Sequence, residues 1–278
     1  MPSVPALVLA VGGVDPSGGA GVYADLDAMR DHGLAGAAAV AAVTAQSSHA
    51  FLEWRPVAPA LLARQLEAVL ADVRPAALKI GMLGSEENVR VVDELLAAHP
   101  RIPVVLDPVL VSTTGGALAR DGATRALAAR LVPRATIVTP NGAEATALSG
   151  VPALGHAGMA AAAAALCANL GAAAVVVTGG DLAGAEAADC FLERGGRPVW
   201  LRAPRIAPPG KAHTVRGTGC RFATAIACGL ALGRPLPSAV RAAKRYVERL
   251  IATRTARVGK GAAQAVPPRA PRPARRAS

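Results

Sequence analysis

The run VRGTGCRFATAIACGLALG, Val215 to Gly233, sets a threonine between two glycines and follows them with a thiol at the mouth of a helix. Gly217, Thr218 and Gly219 at a helix start leave unpaired N–H groups aimed one way, at the positive end of the dipole, and such an end binds anions. Cys220 at that mouth is expected to have a depressed pKa and some thiolate character, which makes it a candidate base. The plainer alternative is a capped helix holding a small buried cysteine.

A second glycine cluster, VGGVDPSGGAG from Val11 to Gly21, packs five glycines between an apolar strand and a helix. Glycine there permits positive φ and close approach of a ligand to the main chain. The run is neither GxGxxG nor GxxxxGK[ST], so dinucleotide and P-loop binding are not supported. In TPNGAEA, Asn141 and Glu144 stand at N-x-x-E spacing after a strand. An amide and a carboxylate on adjacent turns can orient hydrated magnesium, although the same spacing also makes a capping box. LDPV brings Asp107 to the end of another strand as a second charge suited to a metal.

Short β-rich runs alternate with helical ones along the whole chain. ALVLAVGG, AAAVAAVTAQ, AALKIGML, PVVLDPVLV, ATIVTP and AAAVVVTGG are predicted strands. GVYADLDAMRDHG, PALLARQLEAVLADV and SEENVRVVDELLAAH are predicted helices, the last with a serine cap and acidic first turn. ADCFLE and RPVWLRA add strands, and two helices finish the fold. This alternation predicts an α/β domain in three layers, its mostly parallel sheet covered on both faces. Ligands in such sheets bind beyond the carboxyl ends of the strands, where the glycine, Asn and Asp motifs fall.

Hydrophobic residues make up 52% of the 278 and charged residues 18%, a globular balance. No apolar run reaches membrane-spanning length, and the N-terminus reads as mature strand, so the expected location is cytoplasmic. Cys167, Cys190, Cys220 and Cys228 lack CxxC spacing and histidine neighbours, which argues against zinc and disulfides; the first, second and fourth are expected in the core. The net charge is +11, but seven basic and no acidic residues lie from Arg254 to Ser278, leaving +4 for the rest. We expect a folded domain over 1–253 and a disordered Pro/Arg/Ala-rich tail over 254–278, solvated and not a nucleic-acid arm.

GVDPSGGAGVYADL, VTAQSSHAF, LKIGML, LDPVLVSTTGG, TPNGAEA and RGTGC, in that order, resemble the ribokinase-like superfamily, and within it the hydroxymethylpyrimidine/phosphomethylpyrimidine kinases of thiamine biosynthesis. The resemblance spans about Leu7 to Gly233. It implies a ribokinase-like fold, a homodimer, and ATP with Mg2+ as cofactors. It further implies two phosphorylations, of 4-amino-5-hydroxymethyl-2-methylpyrimidine and then of its monophosphate. Gly13, Asp25, Gln46, Met82 and Val109 match the pyrimidine site, with Asp25 and Gln46 as hydrogen-bonding residues. Cys220 matches the catalytic base, and Gly217, Thr218 and Gly219 the anion hole. Asn141 and Glu144 match the magnesium and phosphate motif, with Asp107 nearby, so Asp107 and Glu144 are the metal candidates. Gly179 and Gly180 fall where the nucleotide lies.

The chain departs from the family at Arg216, where histidine is usual, at Arg221 and Ala223, where small hydroxyl residues are usual, and at Thr178, where many members carry lysine. An extra arginine beside the anion hole can assist phosphates, and it can equally mark altered substrate choice or weakened activity. The nearest alternative is a pyridoxal-type vitamin kinase on the same fold, from which Gln46 and Met82 argue away. A non-catalytic pyrimidine-binding regulator is the third.

Overall fold

The computed structural model describes residues 6–110, 122–180, 182, 184–207 and 215–267. The last part of the LDPVLVSTTGG motif and residues 268–278 lie outside the described residues. The chain runs β1 (Leu7–Val14), α1 (Gly21–Asp31), β2 (Ala35–Gln46), β3 (Phe51–Pro56), α2 (Pro59–Asp72), β4 (Ala77–Ile80), α3 (Glu86–Ala98) and β5 (Val104–Leu106). It continues through α4 (Ala123–Ala126), β6 (Ile137–Val138), α5 (Gly142–Ser149), α6 (Gly155–Asn169), β7 (Ala174–Val177), β8 (Glu186–Glu193) and β9 (Val199–Pro204). It closes with β10 (Val215–Arg216), α7 (Thr218–Ala231), α8 (Leu236–Thr253), β11 (Thr255–Arg257) and β12 (Ala263–Ala265).

Nine strands form one sheet in the order β3-β2-β1-β4-β5-β6-β7-β8-β9. The six from β2 to β7 are parallel, while β3, β8 and β9 pair antiparallel at the edges. Strand alternation sends successive side chains to opposite faces. Leu9 and Val11 of β1 join the core under α2, α3, α5 and α6, and Val8 and Ala10 join the core under α1, α7 and α8. The three-layer α/β expectation therefore holds. Ser85 caps α3 by accepting the Asn88 N–H, as its sequence predicts. Cys167, Cys190 and Cys228 are buried and free.

The same alternation places the polar residues of the site. Ala77 of β4 and Val105 of β5 both face the α7 side. Lys79, two residues past Ala77, and Asp107, two past Val105, share that parity. In α1, Asp25 lies among the buried Val22, Ala24, Ala28 and Met29, on the stripe that packs against the sheet. It is not the solvated first-turn acid its position alone would suggest.

The tail differs from its expectation. Residues Thr255–Arg257 and Ala263–Ala265 form a small sheet with β10, in the order β10-β12-β11, so the ordered chain extends past 253. Gln264 is buried and its Nε2 donates to Ser17 O at 3.4 Å. β10 directly precedes the GTGC turn, and this provides a backbone edge on which the basic segment can pair. Composition carries no trace of that edge.

Candidate active site

The two glycine clusters meet face to face. Gly217 caps α7 at φ 72°, and a Cβ there would lie 2.1 Å from the carbonyl oxygen of Gly19. Only glycine supplies both the left-handed backbone and the close approach. The Gly21 backbone also lies near the Cys220 sulfur, where its N–H favours the thiolate. We expect Gly217→Ala to part the two loops: left-handed backbone costs about 1–2 kcal/mol in any L-residue before the clash is counted. Its melting temperature should fall by about 4 °C or more. Gly219→Ala, whose Cβ would meet nothing within 4 Å, should melt like the parent in the same scan.

Both loops border a cavity of about 630 Å3 beyond the carboxyl ends of β1, β4, β5, β6 and β7. Gly13, Asp25, Gln46, Met82, Val109, Asp107, Asn141, Glu144, Gly180, Gly217, Thr218, Gly219 and Cys220 all line it. Of the expected catalytic, binding and metal residues, Gly179 alone does not; its N–H donates at 3.0 Å to Oδ1 of Asp189, which does. Met82 and Val109 line one end of the cavity and make it apolar, and Ala42, Phe51 and Trp54 pack in the same cluster. At the other end, Pro204, Ile206, Val247 and Ile251 form an apolar stretch near Asp189 and Lys244. Those two are paired at 2.9 Å.

Between the ends lies a buried charged cluster. Lys79 Nζ stands 3.2 Å from both Asp25 oxygens and 3.2 Å from Asp107 Oδ2. Thr224 of α7 donates to Asp25 Oδ1 at 2.8 Å. Asp107 Oδ2 makes no hydrogen bond, because the ammonium reaches it off the bonding direction. Burial works against the charged form of Lys79, yet Asp25, then Cys220 and Asp107, hold its pKa above the ordinary lysine value. Burial raises the Asp25 carboxyl, and Lys79 and Thr224 recover only part of that rise.

Cys220 corrects the sequence expectation. Its thiol is pushed up to about 12, first by burial, with Asp107 and Asp25 adding to it against Lys79 and the Gly21 N–H. The helix end was expected to favour thiolate, but it is outweighed by low-dielectric surroundings and two neighbouring carboxylates. In this state the thiol is protonated at neutral pH.

Asn141 and Glu144 realise the capping box in full. Asn141 Oδ1 accepts the Glu144 N–H and Glu144 Oε2 accepts the Asn141 N–H, each at 2.9 Å. The two arginines that depart from the family are spoken for inside the protein. Arg216, 2% exposed, pairs with Asp15 at 3.0 Å and reaches Ser17, Gln46 and Ser47. Arg221 donates to Gly19 O and pairs with Asp27. The terminal nitrogens of Arg216 and those of Arg221 are thus engaged within the protein, while the buried Arg216 Nε has no hydrogen-bond partner.

Sequence reasoning missed Lys79, Asp15, Asp189 and Lys244 as members of this site. One signal was available: Lys79 is a lone charge in the apolar strand AALKIGML, where an unpaired lysine is not tolerated.

The mostly parallel sheet between two helical layers, with a glycine turn after its first strand and a glycine-flanked helix start opposite, is that of a ribokinase-like α/β kinase. Solved structures agree: Staphylococcus aureus pyridoxal kinase in complex with pyridoxal superposes with a TM-score of 0.84 at 30% identity, over 94% of this chain and 93% of that one. Phosphomethylpyrimidine kinase from Clostridium difficile gives a TM-score of 0.74 at 30% identity, over 88% and 98%. The phosphomethylpyrimidine kinase family model matches residues 15–266, and the chain belongs to that family. Among relatives, the hydroxymethylpyrimidine/phosphomethylpyrimidine kinase of Streptomyces coelicolor is 44% identical over 247 residues, 88% of each chain. That of Haemophilus influenzae is 38% identical over 243 residues.

Proposed function

We propose that this chain transfers the terminal phosphoryl group of ATP to 4-amino-5-hydroxymethyl-2-methylpyrimidine, and then a second one to the resulting monophosphate. The observation that carries the proposal is the shared cavity: Cys220 and the Gly217–Gly219 helix start line the same space as Asp25, Gln46 and Met82. An alcohol seated against Met82 and Val109 then has the thiol and the anion hole in one pocket with it.

In-line phosphoryl transfer is dominated by positioning and electrostatics. The helix start offers N–H groups to charge developing on the transferred group. In the first step the thiolate form of Cys220, the minor form at neutral pH, takes the proton of the hydroxymethyl group and becomes the thiol. In the second, the acceptor is a phosphate oxygen already anionic at neutral pH, and no base is required. Asp107 Oδ2, ion-paired with Lys79 but accepting no hydrogen bond, is an oxygen suited to a hydrated divalent ion, so the residues present fit magnesium. Asp107 and Glu144 would hold it, and when bound it supplies neutralisation of phosphate charge.

ADP release with the hydroxymethylpyrimidine, its monophosphate and pyridoxal, measured in parallel, tests the proposal. Turnover of the two pyrimidines with a kcat/KM well above that for pyridoxal is expected. A preference for pyridoxal, the ligand of the Staphylococcus aureus neighbour, would replace the pyrimidine reading. No turnover of any of the three would leave the regulator reading in its place.

A further inference from the structure

Arg216 occupies a place in this cavity that the phosphoryl-transfer chemistry does not use. Its guanidinium is 2% exposed and holds three segments together. One amine donates to Asp15 Oδ2 at 3.0 Å and to Gln46 Oε1 at 3.1 Å. The other donates to Ser17 Oγ and to the Ser47 carbonyl, both at 2.8 Å. Asp15 in turn accepts from the Ser17 N–H and hydroxyl through its other oxygen, at 2.9 and 2.7 Å. The arginine is thereby anchored by four partners.

A guanidinium carries donors and no acceptor, whereas a carboxamide carries one of each face. With its oxygen against Arg216, the Gln46 side chain gains a charge-assisted hydrogen bond; turned over, it would set its own N–H groups against those of the arginine. The orientation of the amide is therefore decided by chemistry and not by chance. Among the described residues no hydrogen bond engages Gln46 Nε2, and Gln46 lines the cavity. We infer that Arg216 is a positioning residue that locks the Gln46 amide with its N–H donors toward the ligand, so that the cavity selects a planar heterocycle presenting an unprotonated ring nitrogen. This rests on the aminopyrimidine reading above and adds to it the group that enforces the selection. In an aminopyrimidine, the ring nitrogen beside the amino carbon is an acceptor. Exchanging the amino group for an oxo group turns that nitrogen into an N–H donor with little change of shape.

The test is the ratio of dissociation constants for the aminopyrimidine alcohol and its 4-oxo counterpart, measured by calorimetry on the full chain. The parent should reject the oxo compound by about tenfold or more, the cost of facing two donors across one contact. In Arg216→Gln the amide is free to turn its oxygen to the N–H, and the ratio should fall to within about threefold. Arg216→Lys, which keeps a donor and the charge beside Asp15, should keep the parent ratio. Gln46→Glu, with Arg216 intact, presents acceptors only and should invert the preference.

A general loosening of the pocket weakens both ligands alike and leaves the ratio unmoved, so it does not imitate this result. Should Arg216→Gln fail to fold, Arg216→His at pH 8 makes the same comparison, since a neutral imidazole offers an acceptor as well as a donor. An unchanged ratio in a folded Arg216→Gln or Arg216→His protein overturns the lock, and so does a Gln46→Glu protein that still favours the amine. A parent that binds both compounds equally defeats the lock alone, while a parent that binds neither defeats the substrate reading and the lock with it.

Discussion

Cys220→Ala slows single-turnover phosphorylation of the hydroxymethyl substrate by about 10²–10⁴-fold, the range of a lost general base, and slows the second phosphorylation far less. The difference follows from the acceptors: an alcohol must lose a proton during transfer, and a phosphate monoester oxygen at neutral pH has none to lose. The protonation state of the thiol sharpens this expectation. Because burial, Asp107 and Asp25 push the thiol up to about 12, the basic form grows as pH rises. The first step at low substrate should climb by about tenfold per pH unit between pH 6 and 9, with no plateau in that window. Cys220→Ala should flatten that climb, and the second step should lack it in the parent. Equal losses in both steps, or a flat profile in the parent, would reduce Cys220 to a packing role at the meeting of the two glycine loops.

The second large effect concerns Lys79. Replacing it by methionine keeps the volume and leaves Asp25 and Asp107 buried with no cation, since Lys79 is the partner of both. Removing one member of a buried ion pair costs about 3–5 kcal/mol, because a desolvated charge is left uncompensated. That is a large share of the roughly 5–15 kcal/mol that holds a domain folded. Urea titration of Lys79→Met should show the loss as a lower midpoint at an unchanged slope.

The sign of its pH dependence can be worked out. The folded-state pKa of Asp25 is already raised by burial, and loss of Lys79 raises it further. The folded protein then binds more protons than the unfolded chain, so stability falls as pH rises between the unfolded and folded values. Lys79→Met should accordingly lose less at pH 5 than at pH 8. Adding Asp25→Asn should return part of the midpoint at pH 8. A Lys79→Met protein as stable as the parent would mean that the cluster contributes nothing to the fold.

Much of the architecture was legible in the residues themselves. Strand and helix periods along the chain imply the parallel sheet with two helical covers. Each motif that lines the cavity sits just past a strand, where such sheets bind ligands. The glycines of VGGVDPSGGAG and RGTGC announce close backbone contact, although not that they touch each other. The interval from Gly19 to Gly217 is too long for spacing to carry that information.

What escaped the sequence is electrostatic and long-range. A helix N-terminus is a local feature and favours thiolate, so Cys220 read as acidic. Its actual neighbours, Asp25, Lys79 and Asp107, come from α1, β4 and the end of β5, and their sum with burial reverses the sign. Arg216 and Arg221 read as spare cations beside a phosphate site, but folding brings Asp15, Asp27 and backbone carbonyls to them. Asn141 and Glu144 read equally as metal motif or capping box, and the local bonds of α5 form the box. The segment after Arg254 looked like a solvated tail because composition cannot register an unpaired strand edge waiting at β10. Order along the chain thus decided the layers and the end of the sheet where chemistry sits. Charge balance was decided only by the tertiary structure, because a buried group answers to every charge within a few ångströms whatever its distance in sequence.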